Sequence, residues 1–121
     1  MILRGDIFYA DLGERVGSEQ SGVRPVLVVQ NDMGNRYAST LIVAPMTSRH
    51  KKQLPTHIYL PGGVCDNLAP STILTEQLTT IDVSRLLAYV GFLAPEYMRR
   101  VDESLLVSFG LTVHFQKEGF R

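Results

Sequence analysis

The chain has 121 residues, 45% of them hydrophobic, and a formal net charge of +0 at pH 7. This length fits one domain, and the composition is that of a folded globular protein rather than a disordered one. The neutral balance disfavours a sequence-independent nucleic-acid binder, because such proteins gain affinity from clustered Lys and Arg. Residues 1–6 lack the apolar region of a secretory signal, and no apolar run is long enough to span a bilayer. We therefore expect a cytoplasmic protein.

The first half of the chain contains three apolar runs that predict β-strands. In chain order we predict a strand at residues 7–10, a polar loop at 13–22, strands at 26–29 and 41–46, and a turn at 32–35 between these two strands. The run at 26–29 is rich in β-branched residues, which is typical of a strand that is buried on both faces. Pro45 cannot donate to a sheet ladder, so it indicates a bulge or an edge position in its strand.

The second half predicts three further strands before a single helix. We predict strands at 54–60, 72–78 and 88–93, with a Gly-rich turn after the first of them. One helical turn is predicted at 82–86, between the last two strands. In the 54–60 strand, the even-numbered residues share one face, and His57 and Tyr59 lie on the other. Glu76 and Gln77 fall inside the 72–78 strand, so one of the two side chains should point toward the core and need a polar partner.

Residues 95–109 have helical periodicity. Pro95 fits the first helical position and Gly110 fits the C-terminal stop, whereas Ala94 leaves the helix without a capping side chain. The apolar stripe is formed by Tyr97, Met98, Val101, Leu105, Leu106 and Phe109. Short strands followed by one helix predict a mainly β fold with a C-terminal helix, in a compact barrel or half-barrel. We assign residues 1–111 to this one domain and residues 112–121 to a polar C-terminal tail.

Several common site motifs are missing from the sequence. There is no G-x-G-x-x-G sequence for a dinucleotide, and no H-E-x-x-H, paired C-x-x-C or carboxylate cluster for a metal. The segment 17–24 has the glycine spacing of a phosphate loop, but Val23 stands where the phosphate-binding Lys is required. Cys65 is the only cysteine, which indicates a reducing compartment. Its surroundings match no known catalytic-thiol signature, although a catalytic thiol is not excluded. We expect chemistry without a metal or cofactor.

The remaining candidates are polar residues at strand ends. Arg24 precedes an apolar strand and follows a glycine-flanked loop, so it either directs its guanidinium toward a site or pairs with a nearby acid at the surface. Thr47 and Ser48 close the 41–46 strand, where hydroxyl groups often only satisfy local backbone groups. Each of these signals is weak when taken alone.

Together, the order and spacing of these residues resemble the MazF/PemK group of endoribonuclease toxins from bacterial type II toxin–antitoxin systems. The most specific block is GSEQSGVRPV at residues 17–26. The resemblance is carried by residues 4–12, 17–32, 47–48, 54–57, 76–78, 80–82, 85–86 and 101–111. It therefore covers nearly the whole chain.

This resemblance implies an SH3-like small barrel that acts as a homodimer, cleaves single-stranded RNA at short sequence motifs without a metal ion, and is inhibited by a cognate antitoxin protein. It maps the family's catalytic pair onto Arg24 and Thr47. It maps positions that hold RNA bases or backbone onto Ser18, Glu19, Gln20, Asn31, Ser48, His57, Glu76 and Gln77.

The implied chemistry is attack by a ribose 2′-hydroxyl on the neighbouring phosphorus, which gives a 2′,3′-cyclic phosphate and a 5′-hydroxyl. A permanently charged, planar guanidinium suits the phosphoryl oxygens, and Glu19 is a candidate general base. Two alternatives remain open at this point. One is a non-enzymatic toxin with the same barrel that binds a protein such as DNA gyrase. The other is a small RNA-binding barrel without catalysis, although its usual aromatic and basic face is absent.

Overall fold

The structure is a computed structural model that describes residues 1–49 and 52–111, so the predicted tail at 112–121 lies outside the described residues. In chain order, the elements are β1 (Asp6–Asp11), β2 (Val23–Val28), α1 (Asp32–Tyr37), β3 (Thr40–Thr47), β4 (His57–Leu60), β5 (Ser71–Leu74), a first 3₁₀ turn (Thr75–Gln77), β6 (Thr79–Asp82), a second 3₁₀ turn (Val83–Arg85), β7 (Leu86–Phe92) and α2 (Pro95–Ser108). The predicted mainly β fold with a C-terminal helix is confirmed.

The strands form one antiparallel sheet in the order β4-β5-β3-β2-β1-β7, and β6 also pairs with β3. Because β4 and β7 form its two edges, the sheet of described strands is barrel-like but not closed. β3 is the central strand: it pairs with β2 on one side, and with β6 and then β5 on the other. No described helix is long and apolar enough to cross a membrane.

Pro45 lies inside β3 at the point where the neighbouring strand changes. β6 pairs with β3 as far as Val43, β5 pairs with it from Met46, and the first 3₁₀ turn fills the gap between them. Pro45 therefore lies in the gap between the β6 and β5 ladders, where β3 needs no N–H donor on that side. The prediction of an edge position was wrong, because the sequence does not reveal that a central strand has an interrupted neighbour.

Side chains on the two faces of the sheet form two apolar clusters. The larger cluster contains Ile7, Leu27, Val29, Ala44, Met46, Ile58, Leu60, Cys65, Leu68, Ile73, Leu93 and Val101. The smaller cluster, on the opposite face, contains Ala10, Leu12, Val26, Val28, Leu41, Val43 and Ile81. Residues 26–28 are fully buried and Val29 nearly so, which confirms the predicted strand buried on both faces.

The helix α2 covers the larger cluster with the predicted stripe. Val101 is fully buried, and Tyr97, Met98 and Leu105 pack against the same cluster. Ala94 makes no side-chain capping bond, as predicted, and Gly110 has a φ of +71 just after the helix. Phe109 was wrongly included in the stripe, because it is 61% exposed.

Three other element predictions differ from the structure. Residues 32–35 belong to α1 rather than to a turn, because the Asn31 side chain caps this short helix by accepting from the Gly34 N–H at 2.8 Å. The strand predicted at 54–60 begins only at His57. The strand predicted at 72–78 ends at Leu74, and β6 at 79–82 was not predicted.

Candidate active site

The polar loop between β1 and β2 closes on itself at its base. The Leu12 N–H donates to the Gly22 carbonyl at 2.9 Å, and the Gly22 N–H donates to the Gly13 carbonyl at 2.9 Å. Gly13 and Gly22 have φ values of +74 and +73, a left-handed conformation that favours glycine. Farther out, Glu19 Oε1 accepts from the Val16 N–H at 2.9 Å. The loop is therefore an ordered segment with its own hydrogen bonds.

Gln77 ties this loop to the first 3₁₀ turn. Its Oε1 accepts from the Gln20 N–H at 2.9 Å, and its Nε2 donates to the Ser18 carbonyl at 3.2 Å. Between the loop and the turn lies a cleft of about 400 Å³, which we call the loop cleft. It is lined by Arg15, Ser18, Glu19, Gln20, Pro45, Glu76, Gln77, Leu78 and Thr79. Five of the predicted RNA-binding residues therefore meet in one cavity.

We expect Gln77→Met to loosen the loop without unfolding the protein. Methionine has a similar length and no charge, so the change removes the two hydrogen bonds to the loop backbone. The loss of one or two such bonds should raise the KM for RNA by about 2- to 10-fold. In protein without RNA, hydrogen–deuterium exchange at the Gln20 amide should become faster. That readout separates a loop tether from a direct RNA contact.

Gln30→Met is the matched control for this experiment. The Gln30 amide also bridges two groups, the Asn35 side chain and the Thr40 carbonyl, but it lies at the other end of β2. The Gln30→Met variant should leave the KM for RNA unchanged. An unchanged Gln20 exchange rate in Gln77→Met would contradict the tethering role.

Arg24 and Thr47 lie on the neighbouring strands β2 and β3. The last observed pair between these strands is Val26 with Pro45, and the same register continued by two residues would set Arg24 opposite Thr47. Opposite residues of an antiparallel pair direct their side chains to the same face. We therefore expect Arg24 and Thr47 to face the same side of the sheet, although they are 23 positions apart in sequence.

Two adjoining hollows flank this pair. The Arg24 hollow is lined by Tyr9, Val23, Arg24, Pro25, Met46, Ser48, Leu68, Ala69 and Ser71. The Thr47 hollow, of about 450 Å³, is lined by Thr47, Ser48, Arg49, Gln53, Tyr59, Pro70, Ser71 and Thr72. Ser48 and Ser71 border both hollows. The end of β3 thus contributes Pro45 to the loop cleft, and Met46 and Thr47 to the two hollows.

The guanidinium of Arg24 is positioned by the loop and not by an acid. Its Nε donates to the Ser21 carbonyl at 2.8 Å. Within residues 1–49 and 52–111, no carboxylate lies within 4.0 Å of it. Thr47 is 1% exposed, and its Oγ1 accepts from the Arg49 N–H at 3.2 Å. That bond uses an acceptor site of the hydroxyl and leaves its proton available for donation.

His57 lies beneath Glu76 and is not open to solvent. The His57 side chain is 4% exposed, with Nε2 at 2.9 Å from Glu76 Oε2 and Nδ1 at 3.1 Å from the Lys52 carbonyl. Both neighbours are acceptors, and a neutral imidazole has only one N–H donor. In this arrangement His57 orients a carboxylate that borders the loop cleft.

The first 3₁₀ turn is anchored on α2 by buried hydroxyl groups. Thr75 Oγ1 lies 2.8 Å from both Ser104 Oγ and the Thr56 carbonyl, and Ser104 Oγ donates to the Pro55 carbonyl at 2.9 Å. Ser108 Oγ donates to the Thr75 carbonyl at 2.9 Å. Since Glu76 and Gln77 follow directly, α2 fixes the wall of the loop cleft as well as the core.

One predicted residue lies apart from the others, and one lining residue was missed. Asn31 caps α1 just after the last residue of β2, whereas Arg24 lies near the first residue of β2. Within one protomer, Asn31 therefore lies away from the loop cleft. Arg15 borders that cleft and donates from Nη1 to Thr79 Oγ1 at 3.1 Å. Sequence analysis did not predict Arg15 because its partner Thr79 belongs to β6, a strand that the sequence pattern did not indicate.

The lone cysteine has the environment of a structural residue. Cys65 is 8% exposed and belongs to the larger apolar cluster. Burial raises the pKa of the Cys65 thiol, and the nearby Asp66 carboxylate raises it further. A raised pKa keeps the thiol protonated near neutral pH, which disfavours a nucleophilic role.

The structure combines a barrel-like sheet, a C-terminal helix and a glycine-flanked loop that borders a polar cleft, and comparison with known proteins assigns this combination to a class of small toxin. The family model of PemK-like, MazF-like toxins of type II toxin–antitoxin systems matches residues 3–109. The chain belongs to this family.

Individual relatives agree with the family. The chain is 47% identical over 112 residues to Endoribonuclease EndoA of Bacillus subtilis (strain 168), covering 92% of this chain and 97% of that protein. Two solved structures are similar in fold. A mycobacterial endoribonuclease in complex with its cognate antitoxin has a TM-score of 0.78 at 24% identity, covering 93% of this chain and 99% of that one. MazF from Deinococcus radiodurans has a TM-score of 0.77 at 23% identity, covering 90% and 96%.

Proposed function

We propose that the protein is a metal-independent endoribonuclease toxin that cleaves single-stranded RNA at short sequence motifs. Endoribonuclease activity is supported by family membership and by the 47% identical Bacillus relative. The observation that supports the rest is the pairing of β2 with β3 up to Val26 and Pro45, because the same register continued by two residues sets Arg24 across from Thr47, in the two adjoining hollows.

The reaction needs no group from outside the chain. The 2′-hydroxyl forms a bond to the adjacent phosphorus while the bond from phosphorus to the 5′-oxygen breaks. The products are a 2′,3′-cyclic phosphate and a 5′-hydroxyl. Arg24 stabilises the charge on the phosphoryl oxygens through its fixed donors, and Thr47 donates a hydrogen bond from its hydroxyl to the same phosphate. The leaving 5′-oxygen takes a proton from water, which balances the proton removed from the 2′-hydroxyl. Glu19, exposed at the rim of the loop cleft, is our candidate base for the 2′ proton.

We assign the recognition of RNA bases to the loop cleft and its surroundings. RNA-binding proteins read single-stranded bases at their edges, and the Gln20 amide presents a donor and an acceptor together. Gln20 Oε1 is buried without a hydrogen-bond partner among the described residues, so it would accept from a base only after the loop moves to expose it. Ser18, Ser48, Asn31 and Gln77 remain predicted RNA contacts.

We further propose a cytoplasmic homodimer that is held inactive by a cognate antitoxin. Family membership supports the antitoxin, since type II systems pair a toxin with one, and the mycobacterial neighbour is described in complex with its own. The substrate supports the location, because cellular RNA lies in that compartment.

The test is RNA cleavage in the presence of EDTA. Wild-type protein should cut a long single-stranded RNA at a few defined positions, which primer extension will map. Thr47→Ala should cut the same positions about 10- to 150-fold more slowly, the range for a hydrogen bond to a charged group. Thr47→Ser retains the hydroxyl and should recover most of the rate. Absence of cleavage by the wild type, or equal rates for Thr47→Ala and wild type, would contradict the proposal.

A further inference from the structure

A cross-strand row connects the Thr47 hollow to the edge of the sheet. Thr47 pairs with Thr72 of β5, and Thr72 pairs in turn with Tyr59 of the edge strand β4. Directly paired residues share a face, so these three side chains follow one line. The β2–β3 register, continued by two residues from Val26 and Pro45, would set Arg24 at the far end of this line. Adjacent strands are about 4.8 Å apart, which puts Tyr59 about 10 Å from Thr47.

Tyr59 is exposed at the outer end of this row. Its neighbours Ile58 and Leu60 are 2% and 0% exposed and belong to the larger apolar cluster, whereas Tyr59 is 48% exposed and borders the Thr47 hollow. The alternation of β4 therefore directs the ring away from the core and toward the site. The same hollow is bordered by Arg49, which is exposed and positively charged.

We propose that Tyr59 is a stacking platform for a nucleobase of the RNA substrate, next to the nucleotide whose phosphate lies between Arg24 and Thr47. This inference rests on the proposed function and adds a binding site to it. Single-stranded RNA is commonly held by bases that stack on aromatic side chains, and the stacked face tolerates any base. Tyr59 thus supplies affinity, while the loop cleft supplies sequence selection.

Kinetics of three variants test the platform on RNA that carries the mapped cut site. Tyr59→Ala removes the ring and should raise KM by about 5- to 150-fold, the range for one stacked base, with little change in kcat. Tyr59→Phe keeps the ring without its hydroxyl and should remain close to wild type. Tyr37→Ala is the matched control, because Tyr37 is 71% exposed but lies on α1, and its KM should not change.

The chain contains no tryptophan, so Tyr59→Trp places a single fluorescent reporter at the site. A short RNA with a 2′-deoxy sugar at the cut site should quench its emission, and an abasic residue at the stacked position should remove that quenching. The Tyr37→Trp variant should show no such change. Replacing one base at a time by an abasic residue identifies the stacked nucleotide.

The outcomes separate the two proposals. If wild type cleaves RNA but Tyr59→Ala has an unchanged KM and the Tyr59→Trp emission does not respond to RNA, the platform is overturned and the proposed function stands. An emission change with the cognate antitoxin but none with RNA would also overturn it, because the surface would then bind protein and not RNA. If wild type does not cleave RNA, the proposed function itself fails.

Discussion

Replacing Arg24 by Ala should lower the rate of RNA cleavage by about 10²- to 10³-fold, the usual cost of removing one donor from an oxyanion site. Arg24 lies on the strand next to that of Thr47, and its guanidinium is not neutralised by any carboxylate of residues 1–49 and 52–111. The loss should fall mainly on kcat, since the charge on the phosphate grows in the transition state. Single-turnover cleavage of a short RNA measures it.

Two further variants make this result specific. Arg24→Lys keeps the charge but lacks the planar fork, so its rate should lie between those of wild type and Arg24→Ala. Arg36→Ala removes an exposed positive charge from α1 and should cleave at the wild-type rate. Urea unfolding should show that Arg24→Ala is folded, because Arg24 donates only to the loop carbonyl of Ser21. A loss of less than about threefold would contradict a charge-stabilising role.

The sequence was sufficient for the fold class, and it named five of the residues that line the loop cleft. Apolar runs predicted six of the seven strands at least in part, and the spacing of Tyr97, Met98 and Val101 predicted α2. The site residues were predicted by resemblance, because Arg24 and Thr47 alone are equally consistent with ordinary surface roles. Their adjacency depends on strand register, which pattern alone leaves undetermined between distant strands.

The largest error arose where long-range contacts override local preference. Residues 72–78 are rich in Thr, Ile and Leu and read as one strand. The strand breaks at Thr75 because its hydroxyl and carbonyl bind Ser104 and Ser108 of α2, about 30 residues away in sequence. This break turns Gln77 toward the loop and leaves Glu76 above His57. No local sequence signal specifies this break, because the break depends on contacts between Thr75 and α2.

His57 and Asn31 illustrate a second limit. Both were predicted to contact RNA through the resemblance, yet the structure gives each a partner within the protein: Glu76 for His57, and the Gly34 N–H for Asn31. A motif identifies which residues a family places near its substrate. It does not distinguish a residue that touches the substrate from one that holds its neighbour.

An RNA with a 2′-deoxy sugar on the 5′ side of the mapped cut should not be cleaved at that position, because the proposed nucleophile is absent. The same substitution one nucleotide away should leave cleavage in place, which controls for changes in sugar pucker and binding. Binding should be retained, so the deoxy RNA should inhibit cleavage of an unmodified RNA in competition.

The termini of the products provide an independent readout of this chemistry. Attack by the 2′-hydroxyl leaves a 5′-hydroxyl, which polynucleotide kinase labels directly, and a 2′,3′-cyclic phosphate that blocks ligation at the other end. Attack by water would instead leave the 2′-hydroxyl intact and cleave the deoxy RNA. Cleavage of the deoxy RNA at the mapped position would therefore exclude the proposed nucleophile, even if Arg24 and Thr47 proved essential. Since both residues act on the phosphoryl oxygens, they are compatible with either nucleophile, and only the modified substrate distinguishes the two routes.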